Sequence, residues 1–215
     1  MLTVLRTANA GVLLELDGAK ILLDGVSPAV YPYPATSAAL RSQLLNTPVD
    51  ALVYTHTHED HYDPQFYNTF YENFAGPVMG PAEIPFSTLQ AQQVGQVVIS
   101  AKKTRHIGKN CDISHNSYLI QGSKCIWFMG DATPLQADVF ANWPKPDILM
   151  VPYGFVIGKG WQICKALQPD AVVILHLPDQ QQDIYRLRES VEQTVGADSY
   201  PRVWIPSIGE KKIFA

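Results

Sequence analysis

The chain has 215 residues, of which 47% are hydrophobic and 17% charged, with a formal net charge of −4. That is enough apolar material for one sizeable core, and residues 1–215 read as a single domain. The acidic balance, with no basic cluster beyond pairs such as Lys102-Lys103, speaks against a nucleic-acid partner. No apolar run approaches the ~20 residues that a membrane span needs.

The elements follow in chain order. "TVLRT", "GVLLELD" and "KILLDG" read as a strand and a hairpin turning at Asp17-Gly18. "SAALRSQLL" reads as a first helix. "DALVYTH" reads as a strand ending at His56, apolar throughout Ala51–Tyr54, as a strand buried on both faces would be. Asp63-Pro64 is a helix start, with Asp as the cap and Pro at the first helical position, and "PQFYNTFYENF" then spaces its aromatics helically. "GPVMGP" and "QVVISA" are further strands. "NSYLIQGSKCIWFMGDA" is a hairpin through Gln121-Gly122-Ser123, and "DILMVPYG" is a strand leading into a loop. "WQICKALQ" is a short helix and "DAVVILHLP" a buried strand. "QQDIYRLRESVEQTV" places Ile184, Leu187, Val191 and Val195 on one helical face, and "RVWIP" and "KKIF" close the chain as strands. Strands mixed with helices predict a layered α/β domain. Cys111, Cys125 and Cys164 form no CxxC pair and read as free thiols. With no secretory segment legible in "MLTVLRTANAGVLLELDG", the expected location is the cytoplasm.

The chain has six histidines, and three of them lie in "YTHTHEDHYDP". Alternate residues of an extended segment point the same way, so His56 and His58 can reach one point. Asp60 and His61, at the turn into the next helix, can face a second point nearby. Imidazole nitrogens and carboxylate oxygens are ligands for Zn²⁺ and similar ions. Further candidates stand at strand ends: His106 in "KKTRHIG", Asp131 in "WFMGDAT" and His176 in "VILHLP". A polar surface turn has no reason to select three histidines.

"THTHEDH" resembles the HxHxDH signature of the metallo-β-lactamase superfamily. Later landmarks agree in order: Asp24 in "ILLDG", His106, the "GDA" of Gly130–Ala132, and His176. "DILMVPYG" and "VWIPSIGEKKIF" are most similar to its lean UlaG-like and NAPE-phospholipase-D-like branch. The resemblance implies a four-layer αββα sandwich, with two mixed β-sheets flanked by helices and a dinuclear site at their edge. It implies that His56, His58 and His106 hold one metal, that Asp60, His61 and His176 hold the other, and that Asp131 bridges them. Asp60 and Asp131 are then the catalytic carboxylates. Asp24 is a supporting or structural aspartate, with a plain turn residue as the alternative.

Two histidines compete to complete the first metal. His115, in "DISHNSYLI", stands where related hydrolases carry GHTxGS. His106 ends a strand-like run and lies 25 residues before Asp131, against 16 for His115. The longer gap fits the superfamily better, which leaves His115 as a pocket residue or a partner of a ligand.

The function implied is that of a metal-dependent hydrolase with two divalent ions, zinc first, manganese or iron as alternatives. A bridging hydroxide would attack a small-molecule ester, lactone or amide. A phosphodiesterase or phospholipase-like enzyme, and a non-catalytic regulatory module, are the other readings. The related flavodiiron proteins carry Glu where this chain has His58, which disfavours redox chemistry. Tyr31, Tyr33, Tyr153, Phe155 and Trp161 are expected to wall the substrate pocket. A homo-oligomer is compatible with all of this.

Overall fold

The computed structural model describes residues 1–108, 113–196 and 201–214; Cys111 lies outside them. Strands β1 (Leu2–Arg6), β2 (Val12–Leu16), β3 (Ala19–Leu23), β4 (Ala51–Val53) and β5 (Val78–Met79) join β13 (Lys211–Phe214) in one mixed sheet, ordered β13-β1-β2-β3-β4-β5. Strands β6 (Gln92–Val94), β7 (Val97–Thr104), β8 (His115–Gln121), β9 (Cys125–Phe128), β10 (Ile148–Pro152), β11 (Ala171–Leu175) and β12 (Arg202–Trp204) form the second, ordered β12-β11-β10-β9-β8-β7-β6. The helices are α1 (Ala38–Leu45), α2 (Pro64–Tyr71), α3 (Tyr153–Phe155), α4 (Trp161–Leu167) and α5 (Leu187–Val195).

Period-two alternation within the strands sets the layers. Leu2 and Val4 of β1, Val12, Leu14 and Leu16 of β2, and Ala171, Val173 and Leu175 of β11 face a central core shared by both sheets. The alternate residues face outward. Leu22 and Leu52 pack beneath Leu40 and Leu44 of α1 and Phe66, Tyr67 and Phe70 of α2. Val172 and Ile174 pack beneath Trp161, Cys164, Val191 and Val195. The order is therefore α/β/β/α, as the sequence resemblance implies, and strands covered on both faces read as nearly unbroken apolar runs. Among the described residues, no helix is long and apolar enough to cross a membrane.

Local chemistry explains several boundaries. Asp17 and Gly18 both take positive φ (51° and 85°), which a two-residue hairpin turn of matching twist requires. The Asp63 carboxylate accepts the Phe66 N–H at 2.9 Å, with Pro64 first in α2. The structure also departs from expectation. β4 ends at Val53, so His56 lies beyond the strand. Residues 153–160 are helical turns, not a loop. β6 and a 3₁₀ segment, Pro134–Phe140, carry no period that the sequence reading caught. Helix α5 starts at Leu187 because the Asp183 carboxylate accepts both the Leu187 and Arg188 N–H groups at 2.8 Å. Ile184 is thus excluded from the helical face and stands 59% exposed.

Candidate metal centre

Five chain segments leave strand ends at one edge of the sandwich and bring their polar side chains together. After β4 the chain runs through Thr55 and His56, both fully buried. Asn116 of β8 donates its N–H to the Thr55 carbonyl at 2.9 Å, clasping this segment to the second sheet. The turns after β7 and β9 are laced together: Ile107 N–H donates to Asp131 O at 2.7 Å and Thr133 N–H to Arg105 O at 2.9 Å. His106 and Asp131 are therefore placed by each other's backbone. His176 follows β11 in the left-handed conformation, φ 61°.

Three groups of ligand-type atoms, each mutually within 4.8 Å, overlap here: His56, His58 and His106; His56, His61 and Asp131; Asp60, His61 and His176. His56 Nε2 lies 3.0 Å from His58 Nδ1. His176 Nε2 lies 2.9 Å from Asp60 Oδ2 and 3.2 Å from Asp131 Oδ2. Asp131 also approaches His61 Nε2 through Oδ1 and His106 Nε2 through Oδ2, both at 3.5 Å. It is the one carboxylate of these groups within 4 Å of histidines from both halves of the cluster.

The surrounding hydrogen bonds dictate which imidazole nitrogens remain free. Asp24, fully buried, accepts the Thr55 N–H (2.8 Å), the Thr55 hydroxyl (2.6 Å) and His61 Nδ1–H (2.9 Å). With its proton committed to Asp24, the Thr55 oxygen accepts from His56 Nδ1–H at 2.9 Å. His106 Nδ1–H donates to the Ile107 carbonyl. In His56, His61 and His106 the Nε2 atom is thereby left facing the cluster, which is how outer hydrogen bonds orient metal-binding imidazoles.

His115 is different, because both its nitrogens are engaged. Asp131 N–H donates to His115 Nε2 at 2.9 Å, so Nδ1 carries the proton and donates to Thr104 Oγ1 at 2.7 Å. That hydroxyl lies 3.1 Å from Ser117 Oγ, which donates to Met129 O at 2.9 Å. His115 therefore holds the Asp131 backbone and has no lone pair left for an ion.

Electrostatics divide the histidines. Burial holds His56 well below the ordinary range and brings His115 down to about 3, so both are neutral. Burial would also depress His61 and His176, but the Asp131 carboxylate outweighs it, raising His61 well above its usual value and His176 to about 9. Burial would raise Asp60 and Asp131; the facing histidines outweigh it, bringing Asp60 to about 2 and Asp131 well below the carboxylate range.

The fit to a cation is tested by what remains unpaired. His61 Nε2, His106 Nε2 and Asp131 Oδ1 are buried with no hydrogen-bond partner. Orphaned buried acceptors cost about 1–3 kcal/mol each, and converging lone pairs repel unless something positive lies between them. The donor set of imidazoles and carboxylates suits zinc, manganese or iron.

A family model described as a beta-lactamase superfamily domain matches residues 7–176. The chain belongs to the beta-lactamase superfamily. Its fold is shared by Igni18, a metallo hydrolase from the hyperthermophilic archaeon Ignicoccus hospitalis, with TM-score 0.69 and 18% identity over 100% of this chain and 99% of that one. An isothiocyanate hydrolase from Delia radicum gut bacteria gives TM-score 0.69 and 18% identity, covering 99% of each chain. CmlA, a diiron beta-hydroxylase from Streptomyces venezuelae, gives TM-score 0.57 and 17% identity over 93% of this chain and 48% of its own. No curated protein matches the chain.

Around the superfamily centre the expected aromatic wall is only partly present. Tyr33 meets His176 edge-on at 4.9 Å between ring centroids, and Tyr153 lies 6.0 Å from it. Phe155 and Trp161 instead point into the apolar core between the second sheet and its helices. The helical turn after β10 rotates them away, which a loop reading could not foresee. Tyr31 is 76% exposed. Two residues that sequence reasoning missed adjoin the centre. Asn9 Nδ2 donates to Asp60 Oδ2 at 2.9 Å, and nothing in the sequence flags it. Arg6, fully buried, had a signal: a lone charge ending an apolar strand.

Gly130 completes the scaffold. Its φ is +53°, and a Cβ there would sit 2.6 Å from Thr55 Cγ2 and 2.9 Å from His115 Nε2. Gly130→Ala therefore pushes on two residues that hold the cluster, and is expected to cost about 1–3 kcal/mol, as overpacking does. A urea unfolding midpoint unchanged from wild type would contradict that packing.

Proposed function

We propose that the chain is a metal-dependent hydrolase that holds two divalent ions, zinc in the first instance, and cleaves a small ester, lactone or amide. The observation that carries this is the Asp131 carboxylate, set between two sets of histidine nitrogens that the surrounding network leaves free. His56, His58 and His106 would hold one ion, Asp60, His61 and His176 the other, and Asp131 both. When bound, such a pair supplies Lewis acidity that activates water at neutral pH and polarises the substrate oxygen.

The chain's own residues do the rest. Asp24, Thr55 and the Ile107 carbonyl keep His61, His56 and His106 in the binding tautomer, and His115 anchors the Asp131 backbone. Asp60 and Asp131 are anions at neutral pH, so their part is to hold charge and orientation. Burial pushes the Tyr33 and Tyr153 phenols up, each also coupled to the other's hydroxyl. Both stay protonated beside His176 and can donate to a substrate oxygen. The unpaired thiols of Cys125 and Cys164 fit a cytoplasmic setting.

The test is elemental analysis after reconstitution with zinc, manganese or iron, coupled to a screen of lactones, esters, amides, isothiocyanates and phosphodiesters. About two equivalents per chain are expected, as a two-metal centre requires. Binding of one equivalent or less across all three metals would overturn the dinuclear reading. Turnover of phosphodiesters alone would move the chain to the phosphoryl class. Iron uptake with consumption of dioxygen would move it to oxidative chemistry.

A further inference from the structure

The geometry assigns Asn9 as the positioning residue of the Asp60/His61/His176 half of the centre, an inference that rests on the dinuclear reading above. Asn9 lies in the turn between β1 and β2 of the first sheet and is fully buried. It reaches across the sandwich edge with two different groups. Its side-chain amide donates to Asp60 Oδ2 at 2.9 Å. Its backbone carbonyl accepts the His176 N–H at 3.1 Å and an Arg6 Nη2–H at 2.8 Å.

These contacts solve two separate problems. His176 is a non-glycine residue in the left-handed region, a conformation that costs of order 1–3 kcal/mol and persists only when its surroundings determine it. The Asn9 carbonyl supplies that determination, and Arg6, which also donates to Leu177 O at 2.6 Å, fixes the carbonyl in turn. Asp60 has the opposite difficulty. It sits on a partly exposed turn, next to the exposed Glu59, and the groups around its carboxylate are the His61 and His176 imidazoles. Those imidazoles must give up their Nε2 protons to bind an ion, and can then no longer donate to Asp60. The Asn9 amide is neutral and is not a ligand, so its hydrogen bond survives ion binding. It keeps Oδ2 held from outside while the carboxylate faces inward. The His56/His58/His106 half has no contact with Asn9; it is organised by Thr55 and Ile107.

Asn9→Ala separates these functions, because it deletes the amide and leaves the backbone carbonyl that holds His176 and Arg6. The experiment is a zinc titration of wild type and Asn9→Ala in competition with a chromophoric chelator, with thermal melts of the metal-free proteins. A crystal of the variant grown with one equivalent of zinc then locates the ion by anomalous scattering. One binding step should be unchanged and the other weakened about 10–100-fold, the scale for removing a partner that orients a ligand. The zinc retained should sit with His56, His58 and His106, and the metal-free melting temperature should match wild type. Two wild-type steps in Asn9→Ala would overturn this inference alone. Equal weakening of both steps with a fall in melting temperature would also overturn it, showing a general packing role. Failure of the wild-type protein to take zinc at Asp60, His61 and His176 would instead sink the dinuclear reading, and the inference with it.

Discussion

Asp131→Ala is expected to reduce bound metal from two equivalents to at most one and to lower turnover by about 10²–10³-fold or more, the loss seen when a single preorganised electrostatic group is removed from a transition state. Asp131 Oδ1 faces His61, and Oδ2 faces both His106 and His176. Alanine deletes the shared anion and leaves two cations to face each other across a set of neutral imidazoles. The damage is confined to the side chain, because the bonds from Asp131 N–H to His115 and from Ile107 N–H to Asp131 O are backbone contacts. The variant should therefore stay folded, and its circular dichroism should match wild type. Elemental analysis and the rate on whichever substrate the screen identifies are the two measurements. Wild-type turnover by folded, metal-free Asp131→Ala would exclude the proposed chemistry.

Arg6→Met should be the most destabilising single change near the centre. The guanidinium is fully buried and donates to four carbonyls: Ala8 (3.0 Å), Pro206 (2.7 Å), Asn9 (2.8 Å) and Leu177 (2.6 Å). Burial lowers its pKa to about 10, with Asp179 opposing, so it remains a cation at neutral pH. Methionine fills similar volume but leaves those carbonyls without their donor. Each buried group left unsatisfied costs about 1–3 kcal/mol, and even with partial rescue by water a total of about 4 kcal/mol is expected. For a chain of this size that is roughly a 10 °C fall in melting temperature. Arg6→Lys keeps the charge but loses the planar fork, and should fall between the two. A melting temperature within one or two degrees of wild type in Arg6→Met would show that the four carbonyls find other partners at little cost.

The contrast between these two residues reflects what a sequence can carry. Asp131 stands in "GDA" beside a glycine whose positive φ is a local requirement, so its position is marked by its neighbours. Arg6 and Asn9 have no such marking. Their partners lie far away in the chain, at Pro206, Leu177, His176 and Asp60, and no local period or spacing encodes those pairings. The same holds for the two competing histidines. His106 and His115 both follow plausible patterns in sequence. Only the lacing of residues 105–107 to 131–133 turns His106 Nε2 toward the cluster, while Asp131 N–H occupies His115 Nε2. Phe155 and Trp161 were misplaced for a related reason: composition says that an aromatic will be covered, but not by which layer.

Patterning and local chemistry by themselves determined the hairpin at Asp17-Gly18, the start of α2 at Asp63-Pro64, the strands buried on both faces and the layered α/β class. Each of these is set by steric and hydrogen-bonding preferences within a few residues, or by a period of two along a strand. The gathering of all six histidines was suggested only by their types and spacing. Tertiary structure alone decided which nitrogen each presents, where Asn9 and Arg6 act, why Ile184 lies outside α5, and which aromatics reach the centre. Those outcomes depend on strand-end turns from two sheets meeting at one edge. The free energy of such a meeting belongs to contacts between residues distant in the chain, and no short stretch of sequence contains it.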